Sequence, residues 1–134
     1  MNFYTDGSCT NNQHEVTKRL MTIAVCDETG IVLVEKSKKG GSNNIAELWA
    51  VAEAMLFGRS CKITSVHINT DSKNTLAWLT GKLGKKLNDR VAVHNLLTVI
   101  RNVSSTIPLT TTWVAREHNL AGIYIEQRSA FDTL

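Results

Sequence analysis

Two β-rich runs in this chain each end in the dipeptide Thr-Asp. Residues 3–6 read Phe-Tyr-Thr-Asp, and residues 66–71 read Val-His-Ile-Asn-Thr-Asp. An acid that directly follows a strand is expected at the carboxyl edge of an α/β sheet, where such sheets gather their chemistry. We therefore expect Asp6 and Asp71 to lie side by side. Because neighbouring carboxylates repel each other, this pairing predicts a hard divalent cation between them.

The chain as a whole has the composition of one globular domain. Its 134 residues are 43% hydrophobic and 20% charged, which predicts a single domain over residues 1–134. No apolar run approaches the roughly 18 to 20 residues that cross a bilayer, and the first residues lack a secretion signal. We expect a cytoplasmic monomer without a membrane partner. The three cysteines are odd in number and lack C-x-x-C spacing, which favours reduced thiols over disulfides or zinc.

The predicted elements alternate in the order β-β-β-α-β-α-α-β-α. Strand 2–5 is followed by a hairpin of two β-branched runs, and a right-handed crossover lays strand 63–70 parallel to the first strand. Leu48, Val51 and Met55 share one face of the first helix, which we expect to end before Gly58. The order predicts an α/β fold. The remaining elements are expected at residues 20–26, 31–36, 45–57, 72–80, 91–100, 109–114 and 120–130.

A third acid, Glu47, opens the first predicted helix near the same sheet edge. Asp6, Glu47 and Asp71 offer enough carboxylate oxygens for two Mg²⁺ ions, with Mn²⁺ as an alternative. Enzymes that hydrolyse phosphodiesters use such an ion pair to activate water and stabilise the leaving oxygen. The cluster therefore indicates a metal-dependent hydrolase.

Four segments in this order resemble the type 1 ribonuclease H family. They read Tyr-Thr-Asp-Gly-Ser-Cys at 4–9, Asn-Asn-Ile-Ala-Glu-Leu at 43–48, Asn-Thr-Asp-Ser at 69–72 and Trp-Val-Ala-Arg-Glu-His-Asn at 113–119. The resemblance implies a ribonuclease H-like α/β fold with a five-stranded mixed sheet flanked by helices. In this sheet three antiparallel strands are followed by two parallel ones. It also implies an endonuclease that cuts the RNA strand of RNA/DNA hybrids and leaves 5′-phosphate and 3′-hydroxyl ends. Asp6 would bridge two metal ions, and Glu47 would lie near a ribose 2′-hydroxyl.

The same resemblance implies a set of substrate contacts. Backbone and small polar groups after the first acid would contact ribose 2′-hydroxyls. The asparagine pair before Glu47 would contact the minor groove of the hybrid. A short basic segment would bind the phosphates of the DNA strand. These residues are Ser8, Cys9, Asn11, Asn12, Asn43, Asn44, Lys85 and Lys86.

The chain departs from the family where the fourth carboxylate is expected, since Ile123 occupies that position. Glu126 follows about one helical turn later on nearly the same face, and we predict that it is the fourth metal ligand. The alternative is a solvent-facing acid. His118 is a candidate proton carrier, although an exposed loop histidine is equally consistent with the sequence.

Two other functions compete with hydrolysis of hybrids. Loss of the fourth acid at position 123 would also suit a catalytically weak or inactive nucleic-acid-binding domain of the same fold. A proofreading exonuclease or integrase-like enzyme is disfavoured, because such exonucleases need Asp-x-Glu on the first strand and residues 6–8 read Asp-Gly-Ser. We expect Trp78 and Trp113 to be packing residues.

Overall fold

A five-stranded mixed sheet forms the centre of the fold, in a computed structural model that describes residues 1–10, 16–84 and 89–132. In space the strands follow the order β3-β2-β1-β4-β5. Strands β1 to β3 pair antiparallel, whereas β4 pairs parallel with both β1 and β5. The predicted mixed sheet is therefore confirmed. Strand bounds are β1 (Asn2–Thr10), β2 (Leu20–Asp27), β3 (Val32–Lys39), β4 (Val66–Thr70) and β5 (Leu109–Trp113).

Four α-helices flank the sheet, and none of the helices within the described ranges is long and apolar enough to cross a membrane. The first helix does not end before Gly58 as expected, but continues for three more residues, to Ser60. A Cβ atom at Gly58 would lie 3.0 Å from Cγ2 of Val66, so this glycine permits close helix-strand packing. The helices are α1 (Asn43–Ser60), α2 (Lys73–Leu79), α3 (Arg90–Ser104) and α4 (Leu120–Asp132).

The first strand is longer than the sequence indicated. It was expected to end at Thr5, but antiparallel pairing with β2 continues as far as the pair Thr10 and Leu20. Parallel pairing with β4 stops much earlier, at Tyr4 and Asn69. Asp6 is therefore in the middle of β1 and just past the end of the parallel ladder.

The hydrophobic core is divided between the two faces of the sheet. The larger cluster lies under α1 and α3, and includes Phe3, Leu48 and Leu97, which are fully buried. A smaller cluster lies under α4 and contains Ala24, Cys26, Ala121 and Ile125. The opposite packing of α1 and α4 leaves the carboxyl edge between them open, which is where the predicted acids are placed.

Candidate active site

Asp6, Glu47 and Asp71 converge at the open edge of the sheet. One carboxylate oxygen from each lies within 4.8 Å of the others. Tyr4 and Asn69 are the last parallel partners of β1 and β4, so the two aspartates, each two residues further on, emerge side by side. Glu47 reaches them from the second turn of α1. The structure thus brings together the three acids that the sequence singled out.

Gly7 allows α1 to approach β1 closely enough for Glu47 to reach Asp6. A Cβ atom at Gly7 would lie 2.4 Å from the backbone carbon of Ala46 and 2.7 Å from the backbone nitrogen of Glu47. Real side chains do not tolerate such distances to backbone atoms. The helix backbone therefore rests directly on the strand, and the site depends on glycine at this position.

Asn119 connects the beginning of α4 to β1 beneath the acids. The side chain is fully buried, and its Nδ2 donates to the carbonyl oxygen of Thr5 at 3.0 Å. Its Oδ1 accepts from the backbone nitrogen of Ala121 at 3.2 Å. Gly122, in the same turn, leaves room for Asp6, because a Cβ atom there would lie 3.3 Å from Oδ2 of that aspartate. One buried amide thereby fixes α4 against the acidic cluster.

The three carboxyl groups hold their protons more tightly than free acids. Burial raises the pKa of Asp6, and the negative charge of Asp71 raises it further. Burial, the hydrogen bond with Asp6 and the surrounding negative charge raise the pKa of Glu47 well above its ordinary range. Burial also raises the pKa of Asp71, although a hydrogen bond from Asn119 and the Arg116 charge oppose this rise. Burial and the mutual repulsion of the acids thus favour their protonated forms, an effect that a bound cation would reverse.

The residues present fit a divalent metal site. Oε2 of Glu47 is buried and has no hydrogen-bond partner among the described residues. A buried, unpartnered carboxylate oxygen is costly unless a ligand satisfies it. The donors are all hard carboxylate oxygens, the type that Mg²⁺ and Mn²⁺ bind.

Glu126 lines the same cavity, but its carboxylate is bonded to another residue. The cavity has a volume of about 610 Å³ and includes the three clustered acids in its wall. Oε1 of Glu126 accepts a hydrogen bond from Nε of Arg116 and forms an ion pair with its Nη2, and both side chains are largely exposed. Arg116 also lines the cavity. The predicted fourth ligand thus faces the site from its rim.

The predicted substrate-binding residues are in different environments. Ser8 and Asn43 line the cavity. Oδ1 of Asn43 accepts a hydrogen bond from the backbone nitrogen of Cys9 at 2.7 Å. The side chain of Cys9 is buried in the larger core cluster. Oδ1 of Asn44 accepts from Nδ2 of Asn74 at 3.2 Å on the exposed surface. His118 lies in an exposed 3-10 turn, Arg116–His118, directly before α4. Asn11, Asn12, Lys85 and Lys86 lie outside the described residues.

Trp113 and Arg116 line the cavity although the sequence was not interpreted in that way. Trp78 is buried as expected, but Trp113 is 48% exposed, so its assignment to packing was wrong. The physical reason is its position as the last residue of β5, an edge strand, where no neighbouring strand covers the ring. The sequence signal that could have indicated a site here was the guanidinium of Arg116, three residues after Trp113.

Comparison with known proteins supports one family. The ribonuclease H family model matches residues 1–124. The N-terminal RNase H domain of Rv2228c from Mycobacterium tuberculosis, solved as a fusion with maltose-binding protein, is similar, with 18% identity, 92% coverage of both chains and a TM-score of 0.69. RNase H1 from the halophilic archaeon Halobacterium salinarum NRC-1 shares 17% identity over 92% of this chain and 91% of its own, with a TM-score of 0.68.

A third similar structure is LC11-RNase H1, an enzyme isolated from compost by a metagenomic approach and solved in complex with an RNA/DNA hybrid. Its identity is 23%, with 88% of this chain and 87% of that chain covered and a TM-score of 0.62. A search of curated protein sequences found no match. At these identities the solved structures establish the fold, and the family model establishes the family. The chain belongs to the ribonuclease H family and is a ribonuclease H enzyme.

Proposed function

We propose that this enzyme hydrolyses the RNA strand of RNA/DNA hybrids by a two-metal mechanism, leaving 5′-phosphate and 3′-hydroxyl ends. The observation that carries the proposal is the convergence of Asp6, Glu47 and Asp71, one of which, Glu47, has a buried and unpartnered carboxylate oxygen. Family membership supports the hydrolytic activity. The hybrid bound to LC11-RNase H1 supports the substrate.

Asp6, Glu47 and Asp71 would hold the metal, and Glu126 would be the fourth ligand after releasing Arg116. Mg²⁺ suits these oxygen donors, and Mn²⁺ is the alternative. When bound, a pair of such ions would activate a water molecule and neutralise the charge on the leaving oxygen. The backbone contact at Gly7 fixes the Asp6 and Glu47 carboxylates relative to each other. This preorganisation means that they need little rearrangement for the reaction.

Residues around the acids would bind and orient the hybrid. Ser8 and Asn43 line the cavity, where small polar groups can reach ribose 2′-hydroxyls and base edges in the wide minor groove. The bond from the Cys9 amide holds the Asn43 side chain in place. The Arg116 guanidinium at the rim can donate to phosphate oxygens. His118 is exposed and follows Arg116 by two residues, which would suit a proton carrier between the site and solvent.

A cleavage assay tests the proposal. The purified protein is incubated with matched RNA/DNA hybrid, RNA duplex and DNA duplex, with Mg²⁺ and separately with Mn²⁺. We expect cleavage of the hybrid RNA strand only, and its loss in Asp6→Asn and Asp71→Asn. Glu28→Gln, which changes an exposed acid in the β2-β3 turn, is the control and should cleave normally. Undiminished cleavage by Asp71→Asn would contradict the proposed site.

The same assay distinguishes the enzyme from a nucleic-acid-binding domain. The observation that motivates this second function is Ile123, a partly buried apolar residue where the family has an acid. Binding of the hybrid without metal-dependent products, at any concentration of Mg²⁺ or Mn²⁺, would support the binding domain and reject the hydrolase. End-labelled RNA would show whether the products carry 5′-phosphates.

A further inference from the structure

We propose that Trp113 and Lys73 form a subsite for the RNA nucleotide next to the scissile phosphate. The indole would contact the sugar or base of this nucleotide, and the ammonium group would pair with its phosphate. This inference rests on the proposed function, because it assumes that the RNA strand crosses the acidic cluster. It assigns a binding role to a tryptophan and a lysine outside that cluster.

Trp113 presents a rigid aromatic surface at the mouth of the active site. Its Nε1 donates to the backbone carbonyl oxygen of Asp71 at 3.2 Å, which fixes the ring beside a cluster acid. Nearly half of the residue remains exposed, at 48%. Tryptophan is usually buried over most of its surface, and an exposed ring at a site wall is typical of a binding residue. The hydrogen bond leaves the remaining ring surface available to a ligand.

Lys73 supplies a cation at the same place. Its Nζ lies 5.5 Å from the centroid of the Trp113 ring, within the range of a cation-π contact. The lysine is exposed and follows the N-cap of α2. Surfaces that bind nucleic acid strands combine aromatic rings with positive charge in this way. The pair therefore offers complementary contacts to an apolar sugar or base and to a phosphate.

A continuous groove joins this pair to the acids. A second cavity, of about 400 Å³, is lined by Glu47, Asp71, Lys73 and Trp113. Glu47, Asp71 and Trp113 also line the active-site cavity. A strand with one phosphate at the acids would consequently place its neighbouring nucleotide in the second cavity. The same RNA strand, rather than its DNA complement, is the occupant that this continuity favours.

A purely structural role for Trp113 makes different predictions. If the ring served only to cover the β4-β5 edge, its removal would lower thermal stability and leave hybrid affinity unchanged. Trp113→Phe retains an aromatic ring but cannot donate to Asp71, whereas Trp113→Leu removes the ring. Comparison of these two variants separates contact with the nucleotide from support of the Asp71 backbone.

The test measures hybrid binding in the Asp6→Asn background, where cleavage does not interfere. Binding is followed by fluorescence anisotropy of a labelled hybrid, and folding of each variant by thermal unfolding. We expect Trp113→Leu to weaken binding about tenfold and Trp113→Phe to bind nearly as well as the parent. Lys73→Gln should weaken binding and reduce the salt dependence by about one phosphate contact. Lys62→Gln, an exposed lysine beyond the far end of α1, is the control.

A neutral methylphosphonate linkage identifies the strand. It is placed at successive positions near the scissile site in the RNA strand, and in separate hybrids at matched positions in the DNA strand. We expect one RNA-strand linkage to weaken binding by the parent and to have no further effect in Lys73→Gln. If a neutral linkage in the DNA strand, and none in the RNA strand, weakens binding by the parent but has no further effect in Lys73→Gln, the assignment to the RNA strand is overturned.

Unchanged hybrid affinity in folded Trp113→Leu would overturn the subsite. Hybrid affinity is measured in the Asp6→Asn background, which is expected not to cleave. The result is therefore independent of the cleavage assay. Failure of cleavage with a normal Trp113 effect would count against the proposed hydrolysis alone. Normal cleavage by the parent without a Trp113 effect would count against the subsite alone.

Discussion

Two nitrogens of the Arg116 guanidinium contact one oxygen of Glu126: Nε donates a hydrogen bond at 2.9 Å, and Nη2 forms an ion pair at 2.8 Å. Both side chains are more than half exposed, at 77% and 58%. An exposed ion pair of this kind contributes about 0 to 1 kcal/mol to stability. In the proposed mechanism, Glu126 would therefore exchange the arginine for a metal ion at little cost, and Arg116 would then be released towards the phosphates of the substrate.

Glu126→Gln tests this exchange. We expect the variant to need about tenfold more Mg²⁺ for half-maximal cleavage, because an amide oxygen is a weaker ligand than a carboxylate. The measurement is hybrid cleavage over a range of Mg²⁺ concentrations. Glu117→Gln, an exposed acid in the adjoining turn, is the control.

Arg116→Gln completes the comparison. It should weaken hybrid binding, while the Mg²⁺ requirement stays the same or falls slightly because Glu126 no longer has to release the arginine. If Glu126→Gln and Arg116→Gln instead give the same change in hybrid binding and no change in Mg²⁺ requirement, Glu126 serves only to hold the arginine.

The acids were predictable because their position follows from backbone geometry. Asp6 and Asp71 each follow a β-rich run, and parallel pairing of those runs is sufficient to bring the acids together. Glu47 follows from a helix that begins near the same edge. The mixed sheet was predictable for the same reason, since hairpin and crossover patterns are local in the sequence.

Features that depend on tertiary contacts were not predictable. The extension of β1 to Thr10 depends on β2 as a partner along its whole length, and continuation of α1 through Gly58 depends on contact with Val66. Exposure of Trp113 follows from its place at the end of an edge strand. Hydrophobic patterns and turn residues describe one segment at a time, so they do not predict which segments pair or pack together in the fold.

Gly7→Ala should damage both stability and activity. The added methyl group would meet the backbone of α1 at 2.4 Å, so the helix must move away from β1 and carry Glu47 with it. We expect a loss of about 1 to 3 kcal/mol in the free energy of unfolding, measured by urea denaturation, and a large loss of cleavage. Gly84→Ala is the matched control, because a Cβ atom there meets nothing within 4 Å. A fully active, stable Gly7→Ala enzyme would show that the close approach is unnecessary.

Asn119→Ala should loosen the attachment of α4. The substitution removes the bond to the Thr5 carbonyl and the acceptor for the first-turn amide of Ala121, and it leaves both groups buried and unpaired. Each unpaired buried group costs about 1 to 3 kcal/mol, so we expect a clear fall in the thermal midpoint and reduced cleavage. Asn102→Ala, on the exposed surface of α3, should change neither property. Equal thermal midpoints for the two variants would refute the role given to Asn119.

Stabilisation by Mg²⁺ should increase with pH. In the metal-free protein, burial raises the pKa of Asp6 to about 6, above the ordinary value of about 4. The folded state therefore binds this proton more tightly than the unfolded state, and the associated stability is lost as pH rises through about 6. Because Mg²⁺ must displace the proton, its affinity increases over the same range.

Thermal unfolding with and without Mg²⁺ measures this effect. We expect the increase in thermal midpoint to be larger at about pH 8 than at about pH 5.5. In Asp6→Asn the pH dependence should be smaller, because one of the three titrating acids of the cluster is gone. An increase that is equal at both pH values in the parent would rule out proton displacement at the cluster.

The bond between Asn119 and Thr5 joins positions 114 residues apart in the chain. Contacts over such long separations form late, because closing the intervening loop costs entropy before the contact is gained. The sheet can establish β1, β2 and β3 from neighbouring segments, but the cleavage centre is complete only after α4 docks. A nascent chain that has not yet emerged as far as α4 would therefore be an incomplete nuclease, and we expect activity only after α4 has docked.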